Sequence, residues 1–146
     1  MTIMQMTSAH VPQVAQLEGI CFQDPWSERS IASELENPLS LWLVAMEKDR
    51  LLGYVGSQTV LDETDMMNVA VDPAARRQGV ARALIQELTA QLKQRGSRKL
   101  SLEVRASNLG AIRLYESLGF VRLGCRPGYY RNPREDAWIL GKEWQV

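Results

Sequence analysis

The 146 residues, 45% hydrophobic and 23% charged, have the balance of an ordinary globular chain with one core. Lys plus Arg equals Asp plus Glu at 17 each, so the basic excess of a nucleic-acid binder of this size is missing. Two cysteines outside any Cys-x-x-Cys pattern and one histidine cannot make a zinc site of usual composition, and no apolar run approaches the roughly 20 residues of a membrane span. The first residues lack the charged and apolar regions of a signal peptide. These features predict one domain over residues 1–146, in the cytoplasm, with Cys21 and Cys125 as reduced, partly buried thiols.

Ile3, Met4 and Met6 suggest a short first strand. Thr7 and Ser8 then precede a helix with Val11, Val14, Leu17 and Cys21 on one side, where Pro12 fits only in the first turn. Pro25-Trp26-Ser27 interrupts, and Ser27 is placed to cap a second helix ending near Asn37-Pro38. Leu41 to Met46 and Leu51 to Val60 read as a hairpin turning at Lys48-Asp49-Arg50. Gly53 and Gly56 in its second strand predict bends or the close approach of another backbone. Met66 to Val71 is a third strand, ended by Asp72-Pro73. The acidic run Asp62, Glu63 and Asp65 before it reads as a solvated turn.

A long helix follows from about Gly79 to Arg95, with Val80, Leu84, Leu88 and Leu92 on one face and Gly96 as its stop. Leu100, Leu102 and Val104 alternate as a strand, Asn108 to Leu118 is helical, Phe120 to Leu123 begins another strand, and Ala137 to Leu140 is the last. The order β-α-α-β-β-β-α-β-α-β-β predicts a mixed α/β fold: a meander, then a right-handed β-α-β crossover that makes two strands parallel.

Arg76-Arg77-Gln78-Gly79-Val80-Ala81-Arg82 is the most informative stretch. A glycine turn feeding a helix start gathers unpaired N–H groups at the positive end of the helix dipole, which suits a phosphate or pyrophosphate. Gly79 supplies the turn torsions, Ala81 keeps the helix start uncrowded, and Arg76, Arg77 and Arg82 add charge. It is neither a Walker loop nor the Gly-x-Gly-x-x-Gly dinucleotide turn. Glu103 falls near the C-terminal end of its strand, where ligand sites of α/β sheets gather. Asn108 is placed to cap the next helix, and by periodicity Tyr115 reads as a core tyrosine.

Taken together, Asn68-Val69-Ala70-Val71-Asp72-Pro73, Arg76-x-x-Gly79-x-Ala81 and Asn108-x-x-Ala111-x-x-Leu114-Tyr115-Glu116-x-x-Gly119-Phe120 resemble the GNAT superfamily of acetyl-CoA-dependent N-acetyltransferases. Pro25-Trp26-Ser27, Leu102 to Asn108, Tyr129-Tyr130 and Glu135-Asp136-Ala137 resemble, within it, the bacterial RimI family of ribosomal-protein-alanine N-acetyltransferases. Ala81 stands where many GNAT members have glycine, and the superfamily accepts either.

The resemblance implies a sheet of about seven mostly antiparallel strands with about four helices, whose two parallel strands splay to form the coenzyme A cleft. It puts the pyrophosphate on Gln78, Gly79, Val80, Ala81 and Arg82, flanked by Arg76 and Arg77. The pantetheine arm lies along Val69, Ala70 and Val71, with the Val69 N–H near the acetyl carbonyl and Asn108 touching the arm. It assigns Glu103 as the base that deprotonates the attacking amine, directly or through water, and Tyr115 as the acid that protonates the leaving thiolate. Trp26, Tyr130 and Glu135 are implied to border the acceptor. No metal is implied. The partner is a protein with a free N-terminal amine, typically a small-subunit ribosomal protein, with no membrane and no direct nucleic-acid contact. Lysine or small-amine acetylation on the same fold, and a non-catalytic acyl-CoA-binding module, remain open alternatives.

Overall fold

A computed structural model describes residues 1–145. Seven strands, β1 (Thr2–Gln5), β2 (Ser40–Glu47), β3 (Arg50–Val60), β4 (Glu63–Val71), β5 (Lys99–Arg105), β6 (Val121–Tyr130) and β7 (Glu135–Glu143), form one sheet in the order β1-β2-β3-β4-β5-β7-β6. The helices are α1 (Val11–Cys21), α2 (Glu28–Glu34), α3 (Val80–Gln94) and α4 (Leu109–Ser117). Every strand pair is antiparallel except β4–β5, which the α3 crossover makes parallel.

The two faces of the sheet carry separate cores. Leu41, Leu43 and Ala45 of β2 face a core that includes Leu84, Leu88 and Leu92 of α3 and Ile112 and Tyr115 of α4. The alternate residues Trp42, Val44 and Met46 face Val11, Val14 and Leu17 of α1 and Ile31 of α2. This period-two division is what a strand buried on both sides requires.

Several element ends differ from the sequence expectation. Thr7 opens a short 3₁₀ turn over Ser8–His10, and α1 begins only at Val11, with Pro12 in its first turn. Strand β4 starts at Glu63 rather than Met66, and β6 runs to Tyr130, well past Leu123. Asp62 does lie in the turn and all three acids are exposed, but Glu63 and Asp65 belong to β4. Asp62 and Glu63 face Arg98 and Lys99 at 3.9 Å, and Asp65 accepts a hydrogen bond from Ser101. Ser27 does cap α2, accepting from the Ser30 amide at 3.0 Å. Cys125 is exposed rather than partly buried.

The two β3 glycines have different reasons. A Cβ on Gly53 would lie 2.7 Å from the Ala70 carbonyl oxygen, the expected close backbone, whereas one on Gly56 would run into the Trp42 ring. That ring stacks on Tyr54, with centroids 5.9 Å apart, and meets Trp26 edge-on at 5.6 Å. Gly56→Ala should therefore overpack this column and cost about 1–3 kcal/mol. Gly124→Ala, whose Cβ would sit 3.8 Å from Ile139, is the space-tolerant control. Thermal denaturation checks this: a Gly56→Ala melting temperature equal to that of the control would contradict it.

Candidate active site

The site begins where β4 and β5 separate. They pair only over Glu63–Asp65 and Lys99–Ser101. Beyond this, β5 stays paired with β7 along its full length while β4 stays paired with β3. The side of β4 from Met66 to Val71 that turns towards β5 thus has no strand beside it. Backbone groups in such a gap need partners from water or a ligand. On the other side of β4, a register shift leaves Met67 between Asn68, opposite Gly56, and Met66, opposite Ser57.

At the end of β4, Asp72 accepts from the Ala74 amide and stops the strand in a Pro73–Ala75 3₁₀ turn. The chain then bends through Arg77 (φ 64°) and Gly79 (φ 77°) into α3. Left-handed torsions favour glycine at 79, and no heavy atom lies within 4 Å of where a Cβ would stand. Arg76, Arg77, Gln78 and Arg82 are exposed around this open turn, and the first amides of α3 have no intrahelical acceptor. Arg82 reaches across to the Ser117 hydroxyl on α4 at 2.7 Å, tying the turn to the second helix of the cleft. Open space, unpaired amides and positive charge fit a pyrophosphate, and the bare side of β4 fits an extended pantetheine arm.

Glu103 lies on β5 on the face opposite Leu102 and Val104, half-buried, and accepts a hydrogen bond from Arg126 Nε at 3.2 Å. Tyr115 is 5% exposed, its ring packed on Phe120 in the α3–α4 core. Its hydroxyl has no hydrogen-bond partner among the described residues and is not sealed from solvent. Both the periodic reading and the implied role are thus accommodated: the ring is core, the hydroxyl is free. Burial, with Tyr130 adding, pushes the Tyr115 hydroxyl far above its ordinary value. Tyr130 is pushed up to about 12 by burial, then by neighbouring Tyr129 and Glu103. Asn108 caps α4, accepting from the Ala111 amide at 3.2 Å.

Arg105 organises the β6–β7 hairpin. Its guanidinium donates to the Arg131 and Pro133 carbonyls at 3.0 Å, pairs with Glu135 at 3.2 Å, and lies 4.4 Å over the Tyr130 ring. The other Glu135 oxygen accepts the Ser107 amide at 2.6 Å. Hydrogen bonds from Ser107, outweighing burial and helped by Arg105, hold the Glu135 carboxyl below the usual range. Both Glu135 oxygens are therefore engaged inside the protein. Tyr129 is exposed, and Trp26, in the loop between α1 and α2, packs on Trp42.

Sequence reasoning did not single out Glu18. It is 1% exposed on α1. Its Oε1 accepts from Asn68 Nδ2 at 2.8 Å and the Trp26 amide at 3.2 Å, and its Oε2 accepts from the Tyr54 hydroxyl. A carboxylate four residues after Val14, on the buried stripe of α1, was the available signal. Among the described residues, no group of three or more His, Cys, Asp or Glu side chains could hold a metal ion. No helix among the described residues is long and apolar enough to cross a membrane.

A sheet split between two parallel strands, with an open, arginine-rich helix start at the end of β4, fits the class of acyl-CoA-dependent acyltransferases. Residues 11–120 match the Acetyltransferase (GNAT) family. The chain is 41% identical over 142 residues to the [ribosomal protein bS18]-alanine N-acetyltransferase of Escherichia coli K12, covering 95% of each. It is 34% identical over 139 residues to a putative enzyme of the same name from Bacillus subtilis, covering 94% and 92%. The crystal structure of the Escherichia coli ribosomal-protein-S18-alanine N-acetyltransferase superposes with a TM-score of 0.91 at 38% identity, covering 99% of this chain and 94% of that one. The chain belongs to the GNAT family, and it is an N-acetyltransferase with acetyl-CoA as co-substrate.

Burial raises the Glu18 pKa, its hydrogen bonds from Trp26 and Asn68 opposing. The native state therefore holds the proton more tightly than the unfolded chain. The stability this contributes is full below the unfolded pKa, near 4.3, and is lost as pH rises through the folded one. Gln at this position does not titrate. The melting temperature of Glu18→Gln relative to the parent should rise as pH climbs above the unfolded pKa. A difference that is flat or falls with pH would contradict the assignment.

Proposed function

We propose that this enzyme acetylates the N-terminal α-amine of a protein, and that its acceptor is the N-terminal alanine of a small-subunit ribosomal protein in the cytoplasm. The observation that carries this reading is the end-to-end similarity to the Escherichia coli enzyme, which spans both acceptor-side elements, the Trp26 loop and the β6–β7 hairpin. Residues 1–146 act in this reading as a single catalytic domain.

Acetyl-CoA supplies the activated acetyl group. Gln78, Gly79, Val80, Ala81 and Arg82, with Arg76 and Arg77, hold its pyrophosphate, and Val69, Ala70, Val71 and Asn108 receive its arm. An ammonium ion has no free lone pair, so the acceptor must lose a proton before it attacks. Glu103 takes that proton, directly or through water, with Arg126 steadying its carboxylate. The amine nitrogen bonds to the carbonyl carbon, the carbon–sulfur bond breaks as the tetrahedral intermediate collapses, and the nitrogen sheds its second proton to solvent, which leaves the neutral amide. The strand amide around Val69 stabilises the oxyanion that develops. Tyr115 gives its hydroxyl proton to the departing thiolate; a tyrosine hydroxyl is protonated at neutral pH and so has that proton to give. No covalent enzyme intermediate is required, and proximity of the two substrates supplies much of the rate. Trp26 and Tyr130 flank the acceptor. Glu135 borders it by fixing Arg105 and the hairpin.

At saturating substrates, Glu103→Gln and Tyr115→Phe should each slow turnover by about 10²–10⁴-fold, the usual worth of a positioned acid or base. Acetyl-CoA affinity should stay within about threefold, because neither side chain belongs to the turn that binds the pyrophosphate. Near-parent turnover in both variants would sink the roles. Peptides that differ only in their first residue, read by mass spectrometry, test the acceptor. The expected product is α-amine acetylation with alanine preferred, and modification confined to lysine side chains would overturn that reading.

A further inference from the structure

Two carboxylates are buried in the α1–α2 half of the protein, and they serve different neighbours. Glu34 accepts from Ser40, Trp42 Nε1 and Gln58, all within the sector where α2 packs on β2 and β3. Glu18 instead joins three elements that meet at the open end of the sheet. One oxygen takes both the backbone amide of Trp26, in the loop beside the acceptor, and the side-chain amide of Asn68. Asn68 stands next to Val69, at the register shift where β4 turns away from β5. The other oxygen takes the hydroxyl of Tyr54, at one end of the aromatic column whose other end is Trp26.

A buried carboxylate is an expensive way to hold a core together, since an apolar residue of similar volume is often as good or better for stability. What a carboxylate oxygen does and a leucine cannot is accept hydrogen bonds from two separate walls at once. We propose that Glu18 is a positioning residue for acetyl transfer: its shared oxygen fixes the Trp26 backbone and the Asn68 strand relative to each other, and so sets the gap in which acceptor amine and acetyl carbonyl meet. This rests on the reading of Val69 and the Trp26 loop given above. Glu18 touches no reacting atom.

The test compares Glu18→Leu, which keeps the volume and loses the acceptor, with Glu18→Gln, whose carbonyl oxygen still accepts from both walls and whose amide donates to Tyr54. Glu34→Leu calibrates what loss of a buried carboxylate does through stability alone. With an N-terminal peptide as acceptor, Glu18→Leu should lower kcat/KM on the order of 30-fold, from the loss of hydrogen bonds to a charged group. Glu18→Gln should recover to within about threefold, and the acetyl-CoA dissociation constant by calorimetry should move less than about twofold in both. Glu34→Leu should lower the melting temperature without that kinetic loss. Parent kinetics in Glu18→Leu, equal impairment in Glu18→Gln, or acetyl-CoA affinity falling in step with turnover would each overturn the proposal.

Should Glu18→Leu fail to fold, Asn68→Ala cuts only the sheet-side arm, and its expected loss in kcat is about tenfold; unchanged kcat overturns the proposal. Amide hydrogen exchange separates this inference from the assigned reaction. The Trp26 amide should exchange at least about tenfold faster in Glu18→Leu than in the parent or Glu18→Gln. If the parent acetylates no peptide, the reaction assigned above fails, while equal Trp26 exchange in all three proteins would overturn the role of Glu18.

Discussion

The separation of β4 from β5 is the constraint on which the rest depends. Parallel neighbours that stayed paired would satisfy each other's backbone and leave nothing for a cofactor. Here the closed end is held firmly and the open end is released. Thr64 and Ser97, both buried, share a hydroxyl contact at 2.8 Å, the Arg98 amide donates to the Asp62 carbonyl at 2.7 Å, and Ser101 reaches Asp65. Past that joint, β4 follows β3 and β5 follows β7, so the gap is made by two well-paired half-sheets diverging rather than by a disordered edge. The α3 turn follows the end of β4 at one side of the gap, and Glu103 lies near the C-terminal end of β5.

The walls of the site are fixed from behind by buried or half-buried charges. Arg105 collects the Arg131 and Pro133 carbonyls, Glu135 and the Tyr130 ring, which gives the β6–β7 hairpin a defined shape over Glu103. Glu18 does the equivalent work on the α1–α2 side through Trp26, Asn68 and Tyr54. Each uses the multiple hydrogen-bonding capacity of one charged group to hold segments that are distant in sequence. Tyr115 is set differently: its ring is locked in an apolar core, which both orients the hydroxyl and raises its pKa.

What was legible in the sequence was local. Gly79 before an amphipathic helix, Asn108 and Ser27 as caps, and the alternation of Leu100, Leu102 and Val104 each depend on neighbours within a few positions. The structure has all of them as expected. What was not legible depends on partners far away. The acids at 62–65 looked like a solvated turn because Arg98, Lys99 and Ser101 lie more than thirty residues on. The length of β6 was hidden because most of its residues are exposed, so no apolar alternation marks it beyond Leu123. Glu135 looked available to a substrate because nothing local reveals that Arg105 and Ser107 occupy it. Glu18 was passed over, although its spacing from Val11 and Val14 put it on the buried stripe.

The central claim is that acetyl-CoA completes the sheet along the bare side of β4 and is gripped at the α3 turn. Amide hydrogen exchange with and without saturating acetyl-CoA tests it most directly. Amides within Met67–Val71 and Gln78–Arg82 should slow by at least about tenfold on binding, while the closed joint at Lys99–Ser101 and the sheet edge at Val121–Tyr130 keep their rates. Slowing centred on the β6 edge, or none within Met67–Val71, would contradict the account.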